Sequence, residues 1–192
     1  MTPLASITTA IFSYATLFSQ IGILVAALIL ILAIFNHPNQ YVHHIVRKSA
    51  DHAYLLGFVV SFGALVSSMF YSNIIGFDPC ELCWWQRVFI YPQAILFAVA
   101  FYNEKVNKIQ DEMVFVYSAV LSFFGAAIAL FQYYGQMFNP DILAICETQG
   151  ASCSKIFFVS FGYITIPMMS LTAYLILILF FFYRRHGKKS II

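Results

Sequence analysis

The four cysteines of this chain fall into two close-set pairs, and their neighbours decide what chemistry two pairs of thiols can perform. Cys80 and Cys83 form a CxxC within Asp78, Pro79, Cys80, Glu81, Leu82, Cys83, Trp84, Trp85, Gln86 and Arg87. Asp78 suits a helix N-cap, Pro79 the first helical position, and Glu81 the capping-box position three residues past the cap. The segment therefore predicts a helix that begins at Pro79 and runs without a break into an apolar stretch. On such a helix the two sulfurs share one face near the positive end of the dipole, which favours thiolate over thiol. Arg87, four residues past Cys83, lies one turn deeper on the same side, where its charge stabilises a Cys83 thiolate or an anionic partner. The plainer reading of Arg87 is a headgroup anchor, although an arginine at the mouth of a membrane span is costly to place without a role. Trp84 and Trp85 suit an interfacial aromatic belt, which puts Cys83 close to headgroup level.

Cys146 and Cys153 lie in a stretch of small and polar residues that includes Gly150. That composition predicts a flexible, exposed loop whose disulfide is easily reduced. The alternatives are a permanent staple, common in oxidising compartments, or half of a zinc site completed by the CxxC. A chain packed in lipid gains little from stapling a short surface loop. Six residues separate these two cysteines, longer than the roughly two to four of zinc ligand pairs, so no metal is expected. Thiol exchange passes through mixed disulfides, so two pairs on one side of a membrane can work in series. The rigid CxxC near the lipid fits the cofactor end and the loop pair the protein end. With no haem or flavin motif in the chain, elimination leaves a lipid-soluble quinone as the acceptor for electrons leaving Cys83.

Stepping from these residues to what must hold them, the 192 residues are 61% hydrophobic and only 9% charged, a balance no soluble core of this size can absorb. Five apolar stretches, 14–35, 53–71, 85–102, 113–131 and 157–183, each approach the ~20 residues a membrane-crossing helix needs. The expected fold is an all-α integral membrane bundle of five transmembrane helices. Nothing basic precedes the first stretch and no small-x-small site follows it, so it reads as a retained helix. Arg47, Lys48, Lys105, Lys108, Arg184, Arg185, Lys188 and Lys189 fall on one side of the five spans, and only Arg87 and Lys155 on the other. Positive loops stay in the cytoplasm, which places the N-terminus and all four cysteines outside and the C-terminus inside. His37, His43, His44 and His52 in the 36–52 loop lack regular ligand spacing and read as interfacial polar residues. No internal repeat, low-complexity segment or soluble domain is visible, and no nucleic-acid partner is expected.

The CxxC-x-x-x-Arg at the head of a span, the later cysteine pair, and the run from Ile164 through Pro167 to Leu171 together bring a family into view. From about Tyr54 to Tyr183 the chain resembles the DsbB/BdbC disulfide-formation proteins, nearer the BdbC-like branch. That resemblance implies a four-helix redox domain over 53–192, with residues 1–52 an added N-terminal transmembrane helix and cytoplasmic loop. It implies a bacterial cytoplasmic-membrane enzyme that reoxidises an extracytoplasmic DsbA-like thioredoxin-fold protein and reduces ubiquinone or menaquinone. By position, the partner attacks Cys146 and Cys153 resolves the mixed disulfide. Cys80 takes electrons from the loop pair, and Cys83 faces the quinone with Arg87 helping to bind it. The added helix departs from the family pattern. Two other readings stand beside this one: an enzyme resembling vitamin K epoxide reductases, whose CxxC is expected after the loop pair, and a non-enzymatic scaffold with structural cysteines.

Overall fold

The computed structural model describes residues 3–35, 40–146 and 152–189. Among these residues six α-helices carry the fold: α1 (Pro3–Ile34), α2 (Gln40–Asp51), α3 (Ala53–Met69), α4 (Glu81–Tyr102), α5 (Met113–Met137) and α6 (Ile166–Lys189). Helices α3 to α6 close a ring, with α3 against α4, α4 against α5, α5 against α6 and α6 back against α3. Inside it lies a core of Tyr54, Ile90, Phe97, Phe115, Ala129, Tyr174 and Leu177. Close approach depends on missing side chains: a Cβ at Gly57 would meet the Phe97 ring at 2.6 Å, and one at Gly125 would run into Tyr174. Small residues at such crossings let helices pack where lipid offers no hydrophobic driving force. Tyr174 also donates to the Gln86 carbonyl at 2.6 Å, tying α6 to α4.

Large apolar side chains such as Ile7, Phe18, Leu24, Val59, Ile95, Phe123 and Leu130 point outward, as they must when the solvent is hydrocarbon. The molecule is an all-α, multi-pass membrane bundle. The segments Pro3–Ile34, Ala53–Ile74, Met113–Met137 and Ile166–Gly187 are each long and apolar enough to cross. Helix α4, at 22 residues, is long enough, but carries Gln86, Arg87 and Gln93 on its buried side. Pro92 interrupts it. The neighbouring Gln93 donates to the Phe89 carbonyl at 2.9 Å and accepts from Ser118 at 2.6 Å and Ser122 at 3.1 Å on α5.

Three expectations are corrected. The last apolar stretch does not become helix at 157: α6 starts at Ile166. Phe161 and Gly162 take positive φ, and Ser160 and Ile164 exchange backbone hydrogen bonds of 2.9 and 2.8 Å around them. The aromatic residues before α6 pack inward instead, Phe157 stacking on Phe77 and Phe158 on Tyr71. Hydropathy cannot distinguish rings facing lipid from rings facing a turn. Second, the 36–52 loop contains α2, whose polar sequence hides a short apolar face: Val46 and Ala50 are buried, and the helix packs on α6. His37 lies outside the described residues, His44 is exposed and His52 bonds the Lys48 carbonyl. Third, the CxxC helix starts at Glu81, not Pro79. Cys80 is its N-cap, with extended backbone and no side-chain capping bond. The turn at Gly76 and the bond from the Phe77 amide to the Tyr71 carbonyl at 2.9 Å hold the preceding chain off the helix axis.

Candidate functional site

All four cysteines meet at one end of the ring, and none is in a disulfide. Cys80, as N-cap, turns its sulfur back over the first turn of α4 to lie 3.3 Å from the Cys83 sulfur. Cys153 is fully buried against Cys80 and Leu143, within reach of both Cys80 and Cys146. Cys146, half-buried, ends the 3-10 helix Pro140–Cys146. The sulfurs therefore follow one another as Cys146, Cys153, Cys80, Cys83. The expected exposed loop pair is corrected for Cys153: Gln136 on α5 donates to its carbonyl at 3.0 Å and to that of Lys155 at 3.3 Å. These bonds, with Leu143 packed alongside, hold Cys153 inside. Gly150, on which flexibility was expected, lies outside the described residues.

Sequence reasoning missed Gln132. It is buried on α5, accepts from Gln86 at 2.7 Å through its carbonyl, and points its amide at Cys80 (3.3 Å) and Cys83 (3.5 Å). A signal existed: Gln132 and Gln136, one turn apart, continue an apolar span, and intramembrane polar residues mark functional surfaces by default. The expected span stopped at 131, one residue short.

The electrostatics divide the CxxC. Cys83 stands in the first turn of α4, ahead of the membrane-crossing run. The Cys80 thiol donates to it, the Gln132 amide also bonds it and Arg87 adds positive charge. Against the opposing cost of burial, these hold Cys83 down at about 6. Cys80 moves the other way, held up by that same hydrogen bond and by burial. Burial, then the neighbouring Cys153, pushes Cys146 up to about 11. Among Cys80, Cys83 and Cys146, Cys83 is the one arranged to be a thiolate at neutral pH.

Arg87 does not reach toward headgroups. Its side chain turns into the bundle, 7% exposed, and donates to the Ser68 hydroxyl at 2.9 Å and the Ser68 carbonyl at 3.1 Å on α3. Trp84 stacks on its guanidinium. These bonds use Nε and Nη2, and Nη1 has no protein acceptor among the described residues. Beside it opens a cavity of about 430 Å³, in which Cys83, Gln86, Arg87, Tyr71, Tyr174 and Met169 share a mostly apolar wall. Such a volume suits a small organic ligand. The Tyr71 ring lines that wall, while its hydroxyl is buried beside Thr9. A flat ring with a carbonyl acceptor fits the spare Arg87 nitrogen on this wall. Among the described residues no three His, Cys, Asp or Glu side chains form a metal-holding group.

A family model described as "Disulfide bond formation protein DsbB" matches residues 50–184. The chain is 38% identical over 117 residues to the SPbeta prophage-derived disulfide bond formation protein B of Bacillus subtilis (strain 168), covering 61% of this chain and 74% of the relative. It is 33% identical over 133 residues to disulfide bond formation protein C of the same organism, covering 69% and 91%. A probable disulfide formation protein of Oceanobacillus iheyensis is 31% identical over 150 residues, covering 76% and 98%. No solved structure matches the chain.

Proposed function

The chain belongs to the DsbB family of disulfide bond formation proteins, and on that premise we propose that it carries electrons from an extracytoplasmic thioredoxin-fold dithiol to a membrane quinone. The observation that carries this reading is the unbroken order of the four sulfurs, ending at a cavity shared by Cys83 and Arg87. Eight basic residues on one side of the spans favour a cytoplasmic C-terminus, with the cysteine end outside a bacterial cytoplasmic membrane.

Electrons enter where a sulfur is accessible. The thiolate of a DsbA-like partner attacks the Cys146 sulfur of a Cys146–Cys153 disulfide, forming a mixed disulfide and releasing the Cys153 thiolate. The partner's second thiol then closes the partner disulfide and leaves Cys146 and Cys153 reduced. Cys153, packed against Cys80, passes the pair on by attacking the Cys80–Cys83 disulfide, which ends with Cys146–Cys153 oxidised and Cys80 and Cys83 as thiols. Cys83 leaves as the stabilised thiolate, held by the Gln132 amide and the Arg87 charge. Reclosing the bond between the Cys80 thiol and the Cys83 thiolate releases two electrons and one proton; the second proton a quinol needs comes from solvent, which received it when Cys83 left as thiolate. A bound quinone supplies the two-electron sink and departs as quinol. Arg87 Nη1 is the donor that would hold a quinone carbonyl, and the apolar wall excludes water.

The test is a trap. Cys153→Ser protein, incubated with reduced thioredoxin-fold partner under mild oxidation, should accumulate a mixed disulfide through Cys146, because the resolving thiol is gone. Trapping through Cys80, or no adduct in a folded variant, would overturn the proposed order.

A further inference from the structure

Helix α1 precedes the residues matched to the family, 50–184, yet it is built into the site. Phe12, Ala15, Thr16 and Ser19 form one wall of the cavity whose opposite side carries Cys83 and Arg87. The helix is anchored by specific polar contacts on the side facing α6. Ser13 donates to Ser160 at 2.8 Å, and Gln20 accepts from Tyr163 at 2.6 Å and donates to Thr172 at 3.1 Å. Farther along, Tyr183 donates to the Ala26 carbonyl at 2.7 Å. These bonds fix α1 against α6 through Thr172 and Tyr183 and against the turn before α6 through Ser160 and Tyr163.

Toward α3 the arrangement differs. Helix α1 packs along α6 and α2 and makes no comparable seam with α3. Phe12 against Tyr71, with ring centroids 5.6 Å apart, closes the gap only near the cysteine end. The cavity-lining residues that are also exposed are Ala15 on α1, Val59 and Gly63 on α3, and Asp78 at the cysteine end. A residue that both lines a cavity and reaches the surface marks a mouth. Asp78 is an acidic group suited to water, whereas Ala15, Val59 and Gly63 are small or apolar and open sideways toward hydrocarbon. A Cβ at Gly63 would meet nothing within 4 Å.

We propose that α1 is the outer wall of the quinone cavity and that the gap between α1 and α3 is a lateral portal, through which the isoprenoid chain of the bound quinone lies in the bilayer. This rests on the quinone reading above and adds how the ligand is admitted and which part of it α1 recognises. The head is held by Arg87 on α4; the tail is held by Ala15, Val59 and Gly63. An occupant with a long apolar tail fits such a mouth because the tail never has to leave lipid.

The experiment uses the full chain in lipid nanodiscs and two quinones with the same head, one bearing an isoprenoid chain with a photoreactive diazirine and the other lacking a tail. Saturation binding and the sites of photo-adducts are measured for the native protein, Ala15→Trp and Gly63→Trp, with Leu24→Trp as control. Leu24 is exposed and, nine residues past Ala15, lies on the opposite face of α1 from it. Tail adducts are expected on α1 within 12–19 and on α3 within 59–63. Filling the portal with an indole should weaken binding of the tailed quinone by about tenfold, the scale of an overpacked contact, while changing the tail-less quinone by less than about twofold. The control should match the native protein. Adducts confined to α4 and α6, or equal effects of the two tryptophans on both quinones, or no effect on either, would overturn the portal and leave the quinone reading standing. Absence of saturable binding of both quinones to the native protein would overturn the quinone reading and the portal with it.

Discussion

Two arginines are buried at opposite ends of this bundle, and they are buried in different ways. Arg184, 2% exposed, is saturated. It meets Glu112 through Nε and Nη2 at 2.8 to 3.1 Å, Gln110 at 2.7 Å and the Ala50 carbonyl at 2.8 Å, and it stacks on Tyr54. Those contacts tie α2, α5 and α6 together at the end away from the cysteines. Arg87 pairs with no carboxylate among the described residues; it spends two nitrogens on Ser68 and keeps a third beside a cavity and a thiolate. A buried cation with every nitrogen matched acts as a staple; one with a nitrogen to spare at a cavity wall is suited to bind a ligand.

Arg184→Ala should destabilise the bundle by about 3 kcal/mol, at the low end for breaking a buried pair because Glu112 is 40% exposed and can rehydrate. Denaturant titration in mixed micelles would read this, and quinone affinity of the folded fraction should stay as in the native protein. Arg87→Ala should do the reverse. Quinone affinity should fall by about ten- to hundredfold, the loss of one charge-assisted hydrogen bond, for a change in folding stability of only about 1 kcal/mol. Arg87→Lys should recover part of the affinity, since an ammonium lacks the planar fork of donors. Full recovery by lysine, or a large stability loss with unchanged quinone affinity, would make Arg87 another staple.

The smallest effect sharpens the thiolate side of the comparison. Cys83, held at about 6 against an ordinary 9, is a thiolate above pH 6 and loses that form as pH falls through 6. Its ionisation therefore stabilises the reduced fold fully above pH 9, and that contribution disappears by pH 6. Alkylation of the reduced protein at Cys83 should have its midpoint near pH 6. Gln132→Leu removes a hydrogen bond to the charged form and should move that midpoint up by about one unit. Cys146, held at about 11, should alkylate only at alkaline pH in the same samples. Rates of modification against pH, with each adduct located by peptide mapping, check all three statements.

Much of this arrangement was legible in the sequence because membrane helices declare themselves by hydropathy and the CxxC and Arg87 by spacing. Other parts were hidden for identifiable reasons. Helix α2 is twelve mostly polar residues whose order comes from packing on α6. The aromatic run before α6 reads as lipid-facing until Phe161 and Gly162 turn the chain back. Gln132, Gln86 and Ser68 are ordinary residues whose importance is set by what lies across the helix gap, and that information is tertiary. Arg184 reads as one more cytoplasmic cation until its partners from α2 and α5 are seen. Cys153 sits in a segment of flexible composition, and its burial depends on Gln136 and Leu143 from elsewhere in the chain.

The central claim is that electrons leaving protein thiols at the cysteine end reach a quinone at the Arg87 cavity. The direct measurement incubates purified protein, a reduced thioredoxin-fold partner and a short-chain quinone without oxygen, following quinone absorbance and free thiols in the same sample. One quinone should be consumed for every two partner thiols lost, and Cys83→Ser should stop quinone loss in an otherwise folded protein. Thiol loss with no quinone consumption, or quinone consumption that persists in Cys83→Ser, would contradict the account.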